Sequence, residues 1–410
     1  MQLKRVVITG IGAVSPLGGD VADLMQGIEA GRSAVRYMEG WDAYIGMRSL
    51  VGAPAELKDE KKIPRQTRRT MGRMSIFAAQ AAEQAVRDAG LAPADIDPSR
   101  TGCVIGSTMG SAKSLNDTFE LMLPKKDISQ LNSTMFFQCM SHTAAVNVAQ
   151  YLGLTGVTLC TAAACASALQ AIGAGYDLVR LGRQDLALCG GAEELHPTVT
   201  GSFDILFATS ANFNKDPQRT PRPFDKDRDG LVCGEGSGIL VLEEHDHAVA
   251  RKARIHAEII GYATNSNGLH MSQPNREAMV RCMEQALREA AISPERVDYV
   301  YAHATGTPQG DREEAAAVRD LFGDRVPVSS LKGHMGHTLG ASGALELIAA
   351  LQMMQRGTIY PTRNLESIDP ECGGVRHVMR PEQKDMRIVL KNCFAFGGIN
   401  ATLVCRKYEG

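Results

Sequence analysis

The chain repeats itself at long range, and that repeat restricts the available folds more than any other feature of the sequence. Glu83-Gln84-Ala85-Val86-Arg87-Asp88-Ala89-Gly90-Leu91-Ala92-Pro93 returns as Glu284-Gln285-Ala286-Leu287-Arg288-Glu289-Ala290-Ala291-Ile292-Ser293-Pro294, and Ile96-Asp97 returns as Val297-Asp298, at a constant offset of 201 residues. Each copy reads as an amphipathic helix, a turn bearing proline and an apolar strand: Val104-Ile105-Gly106 in the first, Val300-Tyr301-Ala302 in the second. A period this long is no solenoid repeat, so it predicts two similar α/β halves packed together, divided as residues 1–252 and 253–410. The alternation of helix and strand implies parallel sheets covered by helices on both faces. Reactive groups are then expected at the carboxyl ends of the strands.

Composition excludes several classes. Hydrophobic content of 44% and charged content of 22% over 410 residues describe a globular protein. A net charge of -2 argues against general nucleic-acid binding. The ten cysteines form no C-x-x-C and no zinc-finger spacing, so they read as reduced thiols and point to a cytoplasmic location. No apolar run is long enough to span a membrane. Lys4-Arg5 before Val6 to Val14 imitates the start of a signal peptide, but glycines interrupt the run, which reads as the first strand.

Cys165 stands out among the cysteines. It sits in Cys160-Thr161-Ala162-Ala163-Ala164-Cys165-Ala166-Ser167, between Val157 to Leu159, read as the end of a buried strand, and a helical pattern of Leu169, Ile172, Tyr176 and Val179. A helix N-terminus favours the thiolate, the reactive form of cysteine. The first half continues through a Gly- and Ala-rich helix to a strand expected to end in Gly190-Gly191, and the second through a similar helix to Gly397-Gly398. Two histidines, His303 and His337, follow strand ends in the second half.

At this point the chain resembles a family, the β-ketoacyl carrier-protein synthases of the thiolase superfamily, in their Cys-His-His class. The resemblance covers essentially the whole chain. It rests on Val6 to Gly12; on Ala163-Ala164-Cys165-Ala166-Ser167; on Pro223-Phe224-Asp225 with Arg228-Asp229-Gly230 and Gly234 to Gly238; on His303-Ala304-Thr305-Gly306-Thr307-Pro308 with Asp311 and Glu314; on Lys332 with Gly336-His337; and on Asn392 to Asn400. It implies a thiolase-like, five-layer αβαβα sandwich and a homodimer, with a heterodimer with a sister subunit as the alternative. The implied reaction is acyl transfer: Cys165 takes an acyl group from a carrier protein as a thioester, and malonyl-carrier loses carbon dioxide and condenses with it to give the β-ketoacyl product of fatty-acid or type II polyketide synthesis.

Residue roles follow from the same resemblance. His303 and His337 would stabilise the enolate, the backbone N–H groups of Cys165 and Phe396 would form an oxyanion hole, and Lys332 beside Glu314 would orient the histidines, with Asp311 in support. Phe396 and Phe394 are implied as the gate, and Ala395, where relatives carry glycine, suggests a stiffer hinge. Thr305, Thr307 and Ser272 are expected to hold the phosphopantetheine arm of the carrier. Arg65, Arg68 and Arg69, within a cluster that includes Lys61, Lys62 and Arg73, are expected to dock the acidic carrier protein. The enzyme itself is expected to bind neither cofactor nor metal. His334 reads as a pocket-wall or packing residue.

Other readings fit less well. Gly10-Ile11-Gly12 begins a dinucleotide fingerprint, but Ser15 replaces its third glycine. Asp225, Asp227 and Asp229 begin an EF-hand loop whose twelfth position is Gly236. A noncatalytic chain-length partner subunit would lack the nucleophile. A thiolase acting on coenzyme A thioesters would need a second active-site cysteine, for which Cys393 is the candidate.

Overall fold

The computed structural model describes residues 3–410. The first half holds strands β1 (Val6–Val14), β2 (Thr101–Gly106), β3 (Thr158–Leu159), β4 (Leu186–Glu193) and β5 (Gly236–Glu244), with helices α1 (Arg73–Asp88), α2 (Thr143–Leu152) and α3 (Ser167–Arg180). The second holds β6 (Ala257–Ser266), β7 (Tyr299–Tyr301), β8 (Pro327–Ser329), β9 (Arg376–His377), β10 (Ile388–Phe394) and β11 (Ile399–Arg406), with α4 (Arg276–Glu289), α5 (Pro308–Phe322) and α6 (Ser342–Arg356). Strand order is β3-β2-β4-β5-β1 in one half and β8-β7-β10-β11-β6 in the other, which is the same order twice, with β9 added outside β8. The halves join edge to edge where β1 pairs with β6 antiparallel, Val6 opposite Ile259.

The layers follow from which helices are apolar all round. Helix α6 buries every residue from Ser342 to Leu351, and α3 buries ten of its residues. A helix with no polar face belongs between two sheets. Both touch strands of the two halves, α3 against β4 and β11 and α6 against β5 and β10, whereas α1 and α2 cover the outer face of the first sheet and α4 that of the second, with α5 packed against α4. The result is five layers.

The helix repeat has a packing cause. Alanines line the face of α1 that meets β1, and the strand answers with glycine: a Cβ on Gly10 would lie 2.1 Å from the carbonyl oxygen of Ala85. In the second half a Cβ on Gly261 would lie 2.3 Å from the carbonyl oxygen of Ala286. Ala85 and Ala286 are equivalent positions of the repeat. The offset then drops to 175 at Ser167 and Ser342, because the first half inserts helices Ala112–Met122 and Ser133–Cys139 between β2 and α2.

Three expectations need correction. The sheets are mixed: β2 runs parallel to β3 and β4, but β5 runs antiparallel between β4 and β1, as β11 does between β10 and β6 in the second half. Gly190 and Gly191 lie inside β4 and do not end it; Cβ atoms there would strike the carbonyl oxygens of Gly238 and Gly340 at 1.9 and 2.1 Å. Thr158–Leu159 is no buried strand end but an exposed edge strand on β2.

Because backbone cannot step aside as a side chain does, Gly10→Ala and Gly261→Ala are each expected to destabilise the fold by about 3 kcal/mol. Gly201→Ala, where a Cβ meets nothing within 4 Å inside a helix, should be neutral or stabilising. Thermal midpoints of the three variants check the contrast, and equal shifts would refute it.

Candidate active site

Cys165 occupies a single tight turn, Ala164–Ala166, that feeds α3. Ala164 holds φ +46, strain that a non-glycine residue accepts only where its surroundings enforce it. Ser167 enforces it: its Oγ donates to the Ala164 carbonyl at 2.7 Å and accepts from Ala163 N–H at 2.9 Å. Gly106 lets this turn sit against β2, since a Cβ there would lie 2.6 Å from the Ser167 carbonyl carbon. The small residues around Cys165 therefore shape the turn as well as leave room beside the sulfur. The backbone N–H of Phe396 lies close enough to that sulfur to favour its thiolate.

His303 leaves the end of β7 in a loop that carboxylates of α5 hold. Glu314 accepts from the backbone N–H groups of His303 and Ala304 at 2.8 and 2.6 Å, and Asp311 accepts from Gly306 and Phe224 at 3.1 and 2.8 Å. Both acids lie in the first two turns of α5, where the helix dipole favours negative charge. Burial pushes Glu314 up to about 7 and Asp311 up to about 6. His337 hangs from Val232, whose carbonyl accepts its N–H at 2.7 Å. The preceding Gly336 has φ +68, and a Cβ there would lie 2.9 Å from that same carbonyl oxygen, which accounts for glycine in the Gly336-His337 pair.

These loops bring three groups together. Sγ of Cys165 and a ring nitrogen from each of His303 and His337 lie within 4.8 Å of one another, and the two rings meet edge to face at 5.1 Å between centroids. Neither ring nitrogen of His337 has a protein partner. Burial, then the ammonium of Lys332, drives both imidazoles well below their ordinary pKa, so both are neutral at pH 7. Lys332 Nζ lies 3.5 Å from Nδ1 of His303 and offers only donors, so that nitrogen accepts and the Nε2 position carries the hydrogen. The thiol differs from the sequence expectation: burial pushes Cys165 up to about 12, outweighing the nearby Lys332 charge.

Lys332 corrects a second expectation. Its partner is Glu346 of α6, at 2.5 Å, and it donates to the His303 carbonyl at 2.5 Å. Glu314 holds the His303 backbone instead. On its other oxygen Glu346 meets Lys391 of β10 at 2.6 Å, an ion-pair contact whose angle falls short of a hydrogen bond. All three side chains are fully buried. Burial opposes the Glu346 charge, yet the two ammonium groups hold its pKa below the usual value. The sequence reading missed both Glu346 and Lys391, although each is a lone charge in an apolar run: Glu346 within Ala344 to Ala350 and Lys391 after Ile388-Val389-Leu390.

One cavity of about 350 Å³ is lined by Cys165, His303, His337, Thr305, Thr307 and Ser272. Thr305 and Thr307 place their hydroxyls 3.1 Å apart on its wall. Phe396 lines it from the loop between β10 and β11 and packs on Phe203 at 5.7 Å. Phe394 is fixed in the β10–β11 ladder opposite Asn400, so of the two expected gate residues only Phe396 lies outside the sheet. Positive φ falls on Gly397 and Gly398, and Ala395 needs none, so alanine there costs no backbone strain. Cys393 is buried and does not line the cavity. His334 is a packing residue whose Nδ1 meets the Arg32 carbonyl at 2.8 Å. Of the basic cluster, Arg65 and Arg69 are exposed, Arg68 pairs with Glu60 at 3.5 Å, and Arg73 is spent on Glu235 at 2.7 Å. Arg73 therefore leaves the docking patch.

Because thiolate is the reactive form, a buried thiol near 12 should alkylate about tenfold faster per pH unit throughout pH 7–10. Iodoacetamide labelling of Cys165, followed by peptide mass spectrometry, checks this; a plateau near pH 7 would contradict it.

Comparison with known proteins matches this geometry to a family. The sequence profile described as "Beta-ketoacyl synthase, N-terminal domain" matches residues 3–248, and "Beta-ketoacyl synthase, C-terminal domain" matches residues 256–366. The 3-oxoacyl-[acyl-carrier-protein] synthase 1 of Haemophilus influenzae is 35% identical over all of both chains. A crystal structure of a beta-ketoacyl synthase from Burkholderia phymatum shares 44% identity with a TM-score of 0.95 over 99% of this chain and 100% of that one. The AntDE:AntF complex, a type II polyketide acyl-carrier protein with its ketosynthase, superposes with a TM-score of 0.91 at 32% identity over the full length of both chains. The chain belongs to the β-ketoacyl synthase family of the thiolase superfamily.

Proposed function

We propose that the cavity carries out decarboxylative condensation on carrier-protein thioesters, as an acyltransferase of fatty-acid or polyketide synthesis. The observation that carries this reading is the meeting of one cysteine from the first half with two neutral, buried histidines from the second. In the first step the Cys165 sulfur attacks the acyl thioester, and the carrier thiol leaves with the proton. The acyl oxygen then rests between the N–H groups of Cys165 and Phe396, each such donor being worth about 3 kcal/mol of barrier. In the second step malonyl-carrier gives up carbon dioxide. Its enolate oxygen accepts hydrogen bonds from His303 and His337, and its carbon attacks the acyl carbonyl. The Cys165 sulfur leaves as thiolate and takes up a proton, so the thiol is restored.

Neutral imidazoles suit this division of labour. A charged pair would bind the malonyl carboxylate and hold it back, whereas neutral N–H donors stabilise charge only as it appears on the enolate oxygen. Thr305, Thr307 and Ser272 line the approach and offer hydroxyls to the amides of a phosphopantetheine arm, which arrives with the carrier and is no cofactor of the enzyme. Arg65 and Arg69 offer free charge to an acidic carrier. Phe396, outside the ladder and followed by Gly397 and Gly398, is the gate between the two half-reactions.

We read the working molecule as a homodimer in the cytoplasm. The edge strand β3 leaves Leu159 44% exposed, and Phe136 and Phe137 of the inserted helix are 68% and 45% exposed. An unpaired edge together with exposed aromatic residues suits pairing with a second copy. No helix among the described residues is long and apolar enough to cross a membrane.

Incubation with a panel of acyl-carrier proteins should add the acyl mass to the wild-type chain and nothing to Cys165→Ala, while Cys165→Ala keeps decarboxylating malonyl-carrier. Acylation of the alanine variant would overturn the assignment of nucleophile. For assembly, Leu159→Asp with Phe137→Asp should lower the sedimentation mass from dimer to monomer; an unchanged dimer would place the interface elsewhere.

A further inference from the structure

Lys391 is a charged residue that the reaction above does not use. It stands in the middle of β10, with Val389 and Leu390 before it and Cys393 and Phe394 after, all buried. Its ammonium is fully enclosed, touches Glu346 at 2.6 Å, donates to the Asn392 carbonyl at 2.5 Å and lies 4.7 Å from the centre of the Tyr301 ring. An isolated buried charge is costly enough that a strand would sooner carry an apolar residue, unless the charge is wanted. Glu346 alone does not explain it, because Lys332 already pairs that carboxylate.

We infer that Lys391 is a positioning residue for condensation: its ammonium occupies one oxygen of Glu346 so that the other fixes Lys332 against His303, and it adds a second positive charge beneath the two imidazoles. The inference rests on the functional reading above. Two ammonium groups against one carboxylate leave the cluster with excess positive charge. Around His303 stand Lys332 from the β8 side, Lys391 and Cys393 from β10, Glu346 from α6, Glu314 from α5, His337, and Cys165 from the α3 turn. Of these only Glu346 and Glu314 carry negative charge, and Glu314 is near half-ionised at neutral pH. The excess opposes protonation of either imidazole, and both Lys332 and Lys391 lower the two histidines after burial has done so. Glu346 also accepts from Ser342 Oγ at 2.8 Å, at the start of α6, so the ammonium pair is tied to the helix that faces the Cys165 turn.

The sign of the test follows. Removing one positive charge makes the histidines easier to protonate, so the acid limb of malonyl-carrier decarboxylation moves to higher pH. In Lys391→Met we expect that limb to rise by about one pH unit, decarboxylation at a pH on the limb itself to fall about tenfold, and acylation of Cys165 to change less than about threefold. In Lys391→Ala, methylammonium should restore part of the lost rate, and it should not in Lys391→Met, whose side chain fills the space. On the wild type, nitrogen-15 NMR of labelled histidines should find His303 and His337 neutral at pH 6.5, where a free histidine is half protonated, a measurement that needs no variant to fold. A wild type that leaves malonyl-carrier intact sinks the functional reading and this inference with it. An active wild type with an unmoved acid limb in Lys391→Met, or with His337 titrating near pH 6.5, sinks this inference alone.

Discussion

Everything in this molecule depends on how closely α3 and α6 approach each other and the two sheets. The contact is made of backbone: a Cβ on Gly343 of α6 would lie 2.9 Å from the amide nitrogen of Leu169 in α3, and a Cβ on Gly191 of β4 would lie 2.1 Å from the carbonyl oxygen of Gly340. No side chain fits in those gaps. With the helices that near, the turns that start them come face to face, and the loops at the strand ends of the second half reach the sulfur of the first. A looser sandwich with larger residues at these points would keep the strand order and lose the site.

The same proximity sets the electrostatics. Burial, reinforced at the imidazoles by the Lys332 and Lys391 ammonium groups, keeps Cys165, His303 and His337 neutral, and a site of three neutral groups has no means of holding its own geometry. Glu346 supplies it. Planted in the central helix, it accepts from Lys332 and Ser342 and meets Lys391, so one carboxylate ties α6 to β10 and to the segment carrying His337. A buried carboxylate between two ammonium groups is tolerable because each charge has a partner within 2.6 Å. Lys332 meets His303 at its carbonyl and at Nδ1, and neither the two lysines nor Glu346 line the cavity.

The legible part of this architecture was whatever local pattern encodes. The helix repeat survives because Gly10 and Gly261 must each meet an alanine face, a requirement written in consecutive residues. Cys165, His303 and His337 were found because each lies in a short motif whose glycines and small residues serve the turn itself. Partners across layers were not legible. Glu314 and Glu346 are both acids on helices near Lys332 in sequence, and only the fold decides that Glu314 faces backbone N–H groups while Glu346 faces the ammonium. The antiparallel return of β5 and β11 was likewise hidden, since a fully buried strand reads the same in either direction.

The duplicated turns differ between the halves in what they present to their surroundings. Ala164 and Leu339 hold φ +46 and +47 at equivalent positions, and Cys165 corresponds to Gly340. At the second turn the Gly340 N–H donates to Glu193 at 3.0 Å, and the same carboxylate oxygen accepts from Thr108 N–H at 3.1 Å. A carboxyl oxygen held by two backbone donors at a helix-initiating turn resembles the arrangement proposed for the acyl oxygen at Cys165 and Phe396. In the second half that arrangement is filled by a carboxylate of the protein, and glycine stands where a nucleophile would. The pseudo-symmetric fold thus repeats one helix-initiating turn, closing it with the protein's own acid in the second half and setting Cys165 against the cavity in the first.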